Sequence, residues 1–130
     1  MKILKFRVVT LVTFISEKNK LFLLKIFETM GLFDFLLGNK TEKIKDFKSR
    51  GAIIIDVRTK AEFSQGAIPG SKNIPLQNIN TQIASIKKLN KPVITCCASG
   101  MRSGNAAVIL NNHGIESMNG GGWLSLSNKL

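Results

Sequence analysis

Tyrosine is absent from this sequence, histidine and tryptophan occur once each, and cysteine occurs only twice among 130 residues. The two cysteines, Cys96 and Cys97, are adjacent, so a bond between them would be strained and would cross-link no distant parts of the chain. Adjacent thiols also lack the spacing of zinc ligands, and we predict no metal site. The thiols are therefore either core residues or chemically active groups, and a chain without a disulfide framework favours a reducing compartment.

Acidic residues are also scarce, since eight Asp and Glu stand against nineteen Lys and Arg and the formal net charge is +11. Surfaces that bind nucleic acids combine a basic stripe with aromatic side chains. Here the basic residues are scattered and no aromatic residues interleave with them, so we predict no nucleic-acid partner. The charge suits a small anionic substrate or an acidic partner better, and otherwise describes a solvated basic surface.

Long apolar runs are missing as well, because the stretches at residues 8–15 and 21–27 are far shorter than the roughly eighteen residues that a membrane span requires. The first thirty residues leave three interpretations open: a dispensable extension before a natural start at Met30, an export signal, or an amphipathic membrane anchor. We predict an extension at residues 1–30 and a folded domain at residues 31–130. We expect a cytoplasmic protein with no membrane partner, or an exported or membrane-associated one if the extension acts as a signal or anchor.

From residue 40 onward, short β-branched runs alternate with stretches of helical periodicity. The β-branched runs predict strands at residues 52–57, 72–74, 93–96 and 115–118. The periodic stretches predict helices at residues 41–47, 59–63, 79–89, 102–112 and 123–128, and the glycines at 120–122 predict a loop. This alternation predicts an α/β fold, a small parallel β-sheet flanked by helices on both faces.

The most informative segment is the loop that follows the third predicted strand. Cys97 stands at the carboxyl end of that strand, where parallel sheets bind ligands, and the helix that follows directs its positive end at the same place. Gly100 allows the loop to turn its backbone N–H groups inward as an anion-binding nest. Such surroundings lower the pKa of a thiol, so we predict that Cys97 is a reactive thiolate.

The residues from Cys97 to Ser103 read C-A-S-G-M-R-S and resemble the active loop of rhodanese domains, C-x-x-G-x-R followed by Ser. Further landmarks resemble the family in the same order: D-V-R at 56–58, the segment at 62–75 with its G-A-I-P-G-S and N-I-P, and the glycines before Trp123. One departure is Ala67, where the family usually has a histidine. The resemblance extends over about residues 41–127 and implies a rhodanese-like fold.

The resemblance implies a sulfurtransferase in which Cys97 takes sulfane sulfur from thiosulfate or a persulfide, holds it as a persulfide, and passes it to a thiol or to cyanide. It implies no cofactor and no metal. We expect a monomer whose partners are a small anionic sulfur donor and a thiol or protein sulfur acceptor. The loop is neutral between Cys97 and Arg102, so the donor stays open between thiosulfate and a persulfide. The substrate-binding residues implied are Ala98, Ser99, Gly100, Met101, Arg102, Ser103 and Arg58.

Two other functions and two roles for Arg58 remain open. Counting from Cys96 gives the Cys-x5-Arg spacing of tyrosine-type phosphatases and arsenate reductases, although Gly100 then falls out of register and Thr95 stands where those phosphatases usually have histidine. A rhodanese-like module without catalytic activity is the other alternative. Arg58 either borders the active site or forms an ion pair with Asp56 or Glu62. We expect Cys96 to be a core residue that faces away from Cys97.

Overall fold

A four-stranded parallel sheet lies at the centre of the computed structural model, which describes Lys25 and residues 40–130. Its strands are β1 (Ile53–Asp56), β2 (Lys72–Asn73), β3 (Val93–Cys97) and β4 (Ser117–Gly122), in the order β2-β1-β3-β4. The predicted division between residues 30 and 31, with its signal or anchor, lies outside the described residues. Within residues 40–130, which form one compact unit, no helix is long and apolar enough to cross a membrane.

The helices of residues 40–130 follow the strands in alternation, as the sequence pattern predicts. The second one begins where expected because Thr59 and Glu62 form a capping box, in which each side chain accepts a hydrogen bond from the other residue's backbone N–H. A 3-10 turn at Leu76–Asn78 precedes the third. The helices are α1 (Lys40–Ser49), α2 (Lys60–Ser64), α3 (Ile79–Lys88), α4 (Met101–Asn112) and α5 (Trp123–Ser127).

Side chains of β3 alternate between the two faces of the sheet and so divide the core into two layers. The face that carries Cys97 is covered by α3 and α4, and the face that carries Cys96 is covered by α1 and α5. All five residues of β3 are buried, as expected for a parallel strand that is covered on both sides. The main buried partners are Ile79, Ile86, Ala106 and Leu110 in the first layer, and Ile44, Phe47, Ile94 and Leu126 in the second.

The prediction of a loop at residues 120–122 is wrong, because these glycines belong to β4, the strand that pairs with β3. The register shifts between Thr95 and Cys97, and Gly122 pairs with Cys97. A Cβ atom on Gly120 would lie 2.8 Å from the Ile94 side chain and 2.8 Å from the Thr95 carbonyl oxygen. Gly120 therefore serves close approach between the two strands here, and not a turn.

Candidate active site

The loop between β3 and α4 wraps around the sulfur of Cys97. Gly100 has a φ of +105°, which an L side chain rarely adopts, and a Cβ atom at this position would lie 3.3 Å from the Gly121 Cα. This turn directs the Gly100 backbone N–H at Cys97 Sγ, over a distance of 2.9 Å. Conformation and packing therefore both require glycine at the position that closes the loop.

The hydroxyl of Ser103, in the first turn of α4, makes the second contact and lies 3.3 Å from Cys97 Sγ. Burial of the thiol raises its pKa, whereas the Ser103 hydroxyl lowers it. The backbone N–H groups of Ser103, Gly100 and Ser99 add to the lowering, and the pKa of Cys97 falls below its ordinary value. The positive end of α4 acts in the same direction. This environment stabilises a thiolate at the end of β3.

The neighbouring thiol of Cys96 has the opposite character. It packs in the layer under α1 and α5, on the other face of the sheet from Cys97. Burial raises the pKa of Cys96 to about 12, and the negative charge of Asp56 adds to this shift. A thiol of this kind stays protonated at neutral pH and is a weak nucleophile. Cys96 thus faces away from Cys97, as expected of a core residue.

Arg102 ends the loop, but its guanidinium group is bound to a carboxylate. Nη1 and Nη2 donate to the two carboxylate oxygens of Glu62, at 2.8 and 3.0 Å. The Arg102 side chain is 36% exposed, so the ion pair lies at the surface. The hydrogen bonds from Arg102 and from Thr59 hold the pKa of Glu62 at about 2. The pair connects the start of α4 to α2. It also neutralises the positive charge of Arg102, the residue that ends the loop.

Arg58 has the contacts of a structural ion pair, the second of its two predicted roles. Its Nε and Nη2 donate to the Asp56 carboxylate, at 3.0 and 2.7 Å, and both side chains are at least 95% buried. The remaining contacts are to the backbone carbonyls of Gly66 and Glu62 and to the ring of Trp123, whose centroid lies 4.6 Å from Cζ. These contacts occupy the guanidinium group in holding β1, α2 and α5 together.

The other predicted loop residues form an exposed rim. Ala98 and Ser99 are exposed, and Met101 is 80% exposed at the start of α4. Cys97 itself has no exposed surface. The structure therefore brings the predicted residues 97–103 together in one place, with the sulfur beneath the rim. In residues 40–130 it shows no group of three or more His, Cys, Asp or Glu side chains arranged to hold a metal ion.

Asn119 on β4 belongs to this site and is not among the residues predicted from the sequence. Its Nδ2 donates to the Gly100 carbonyl at 2.9 Å, and its Oδ1 accepts from the Ser103 hydroxyl at 2.7 Å and from the Gly121 N–H at 2.9 Å. The one sequence signal is its place just before the glycines of a strand that neighbours β3. A polar residue there lies at the same sheet edge as the loop.

Known proteins resemble this chain in sequence. The sequence pattern of the family described as Rhodanese-like domain matches residues 40–126. The protein is 38% identical over 87 residues to protein YqhL of Bacillus subtilis, which covers 63% of this chain and 68% of that protein. It is 32% identical over 83 residues to the thiosulfate sulfurtransferase GlpE of Stutzerimonas stutzeri, covering 62% of this chain and 75% of that one.

A solved structure supports the same assignment. The crystal structure of a rhodanese-like domain protein from Staphylococcus aureus superposes with a TM-score of 0.53 at 34% identity, over 58% of this chain and 74% of that chain. The α/β fold and the resemblance found in the sequence are thereby confirmed. The protein belongs to the rhodanese-like domain family.

Proposed function

We propose that this protein is a sulfurtransferase that carries sulfane sulfur as a persulfide on Cys97. Membership of a family that includes proteins named thiosulfate sulfurtransferase supports sulfur transfer at the level of the family. The observation that carries the finer proposal is the pair of contacts on Sγ, from the Gly100 N–H and the Ser103 hydroxyl. They stabilise a sulfur anion, and the thiolate is the nucleophile in this chemistry.

The first step forms one S–S bond and breaks another. The Cys97 thiolate attacks the outer sulfur of thiosulfate, the S–S bond of the donor breaks, and sulfite leaves with the bonding electron pair. With a persulfide donor, the corresponding thiolate leaves instead. The product Cys–S–S⁻ keeps a negative charge on its terminal sulfur, which the backbone N–H groups of Ser99, Gly100 and Ser103 and the amino-terminal end of α4 stabilise.

The second step regenerates the enzyme. A thiolate or cyanide attacks the terminal sulfur of the Cys97 persulfide, the S–S bond breaks, and the Cys97 thiolate leaves. The products are a new persulfide on the acceptor or thiocyanate. Because Cys97 has no exposed surface, we expect the rim of Ala98, Ser99 and Met101 to move before either reactant reaches the sulfur.

The charges around the loop favour a persulfide donor over thiosulfate. Thiosulfate carries two negative charges, and no basic residue stands between Cys97 and Arg102. Arg102 itself is paired with Glu62. We further propose that Ala98–Ser103 are the residues that bind the donor, and that the protein acts as a cytoplasmic monomer, a location that suits its two free cysteines.

A paired assay on one preparation tests this proposal. Thiocyanate formation from thiosulfate and cyanide, and sulfur transfer from a low-molecular-weight persulfide to a thiol, are measured beside the hydrolysis of an aryl phosphate and the reduction of arsenate. We expect sulfur transfer that depends on Cys97, with the two oxyanion reactions at background. Cysteine-dependent phosphate release or arsenate reduction without sulfur transfer would favour the alternative enzymes, and inactivity in all assays would favour a binding module.

A further inference from the structure

Asn119 has an orientation that its backbone partners fix. An amide oxygen and nitrogen are easily exchanged in a structure, but a backbone N–H can only donate and a carbonyl can only accept. The group that faces the Gly121 N–H is therefore Oδ1, and the group that faces the Gly100 carbonyl is Nδ2. Since Oδ1 has no proton, its 2.7 Å contact with Ser103 uses the proton of the Ser103 hydroxyl.

This orientation determines the direction of the contact between Ser103 and Cys97. The hydroxyl has one proton, and while that proton points to Asn119, the Ser103 oxygen can only accept. At 3.3 Å, Ser103 Oγ then accepts from the S–H of the protonated Cys97. When Cys97 loses its proton to solvent, the hydroxyl has to rotate to donate to the thiolate. Asn119 Oδ1 then keeps the Gly121 N–H as a donor, so the rotation leaves no buried acceptor unpaired.

We propose that Asn119 is a positioning residue that sets which way the Ser103 hydroxyl points, and through it how readily Cys97 loses its proton. Asn119 acts on Ser103 and on the loop, and it has no contact with the sulfur. The relevance of this role to turnover rests on the proposed function. The role itself concerns only the protonation of a thiol and is tested without any sulfur donor.

Within residues 40–130, the other charged and titratable groups around Cys97 make no hydrogen bond to the side chains of Ser103 or Asn119. Arg102 of α4 is paired with Glu62, and Asp56 of β1 is paired with Arg58. Cys96 lies on the opposite face of β3. In addition, Lys40 of α1 lies close to Gly121, where its Nζ would be 2.9 Å from a Cβ atom. The variants used below leave all of these groups in place.

Asn119 could orient the Ser103 hydroxyl, or it could only hold the loop in place through the Gly100 carbonyl. Replacing Asn119 with aspartate or with alanine separates these two roles. Both substitutions remove the Nδ2 hydrogen bond to Gly100. Asn119→Asp supplies a stronger acceptor that holds the Ser103 proton away from the sulfur, whereas Asn119→Ala supplies none and frees that proton for the thiolate. Asn119→Asp also turns a carboxylate oxygen toward the Gly100 carbonyl, so the two variants differ in the midpoint itself. The discriminating quantity is therefore the effect of Ser103→Ala within each background: a residue that only held the loop in place would change that effect in the same direction in both.

The experiment is a double-mutant cycle read by the ultraviolet absorbance of the Cys97 thiolate as a function of pH. Cys96 does not contribute at neutral pH, because its pKa is about 12. We expect Ser103→Ala to raise the titration midpoint by about one to two pH units, the value of a hydrogen bond to a charged group. In the Asn119→Asp background, the same change should have less than about half that effect. In the Asn119→Ala background, it should have at least the full effect.

Asn112→Asp is the matched control, because it adds the same charge at an exposed position at the far end of α4, about 16 Å along the helix from the loop. It should leave both the midpoint and the Ser103 effect unchanged. An undiminished Ser103 effect in Asn119→Asp would overturn the proposal. If that variant does not fold, a diminished Ser103 effect in Asn119→Ala would overturn it equally, and a full effect there would support it.

Discussion

The two faces of β3 carry the same residue type in opposite environments. Cys96 packs under α1 and α5, where burial and Asp56 raise its pKa to about 12. Cys97, the next residue, receives the Gly100 N–H and the Ser103 hydroxyl at the start of α4, and its pKa is lowered. Neither thiol has exposed surface, and burial raises the pKa of both, but only at Cys97 do hydrogen bonds outweigh it.

The difference between them is the supply of hydrogen-bond donors. A strand directs neighbouring side chains to opposite faces, and on only one face does a helix begin where the strand ends. Cys96 lies beside the buried pair of Asp56 and Arg58, and the Arg58 donors are used by Asp56 and by the backbone carbonyls of Gly66 and Glu62. Hydrogen-bond donors at a helix amino terminus therefore outweigh burial at Cys97 and make it the more acidic of two adjacent thiols.

The largest expected effect on activity comes from replacing each of the two cysteines in turn. Cys97→Ser should reduce sulfur transfer to background, because a serine hydroxyl at this pH is neither an anion nor a sulfur carrier. Cys96→Ala should retain most of the activity and lose some stability from the cavity it leaves. Steady-state thiocyanate formation measures both variants. The assignment is reversed if Cys96→Ala is the inactive variant.

Substitutions on the face of the sheet that carries Cys96 should lower the free energy of unfolding. Asp56→Asn leaves the buried Arg58 guanidinium without its counter-charge, and breaking such a pair costs about 3–5 kcal/mol. Urea denaturation measures the free energy of unfolding. Asp46→Asn is the control, because its pair with Arg50 is exposed and solvent screens such a pair, so its loss should be much the smaller of the two. Equal losses in the two variants would contradict a structural role for the Asp56–Arg58 pair.

A smaller loss of stability is expected at Gly120 of β4, which packs on the face of the sheet that carries Cys96. Gly120→Ala places a methyl group 2.8 Å from the side chains of Ile94 and Leu126, and such overpacking costs about 1–3 kcal/mol. Ser125→Ala, on the exposed side of α5, should change the free energy of unfolding by less than about 0.5 kcal/mol. Denaturant midpoints of the two variants measure the difference. A Gly120→Ala protein as stable as the wild type would show that the strands can separate without cost.

The smallest effect concerns the tie between the Cys97 loop and α2. Glu62 has its pKa lowered from 4.5 to about 2, first by Arg102 and then by Thr59. A lowered carboxyl pKa adds stability that is complete above the ordinary value and is lost as the pH falls through the folded one. The free energy of unfolding should therefore fall between about pH 4.5 and pH 2, and fall less in Glu62→Gln. Parallel pH profiles for the two proteins would be evidence against this tie.

Much of the fold follows from local sequence signals. The isoleucine run before Asp56 and the apolar run before Cys97 mark two buried strands, and the capping box at Thr59 marks a helix start. The predicted helix at 102–112 is found at Met101–Asn112. The prediction fails at the glycines of 120–122 because glycine is common in turns, and only the packing against β3 shows that close approach requires it here.

The sequence predicts which loop forms the site, but not the hydrogen bonds that connect this loop to distant parts of the chain. The order of Cys97, Gly100 and Ser103 within one loop is enough to predict hydrogen-bond donors around the sulfur. Arg102 and Glu62 are 40 residues apart, and Asn119 is 16 residues from Ser103, so their contacts depend on how the strands and helices assemble. No local pattern indicates that Glu62 neutralises Arg102 or that Asn119 holds the Ser103 hydroxyl.

Finding the transferred sulfur tests the central claim most directly. The protein is incubated with thiosulfate and, separately, with a low-molecular-weight persulfide, and its peptides are analysed by mass spectrometry with fragmentation between Cys96 and Cys97. We predict one additional sulfur atom on Cys97 in the wild type and in Cys96→Ala, and none in Cys97→Ser. Additional sulfur on Cys96, or an unmodified Cys97 with both donors, would contradict the account.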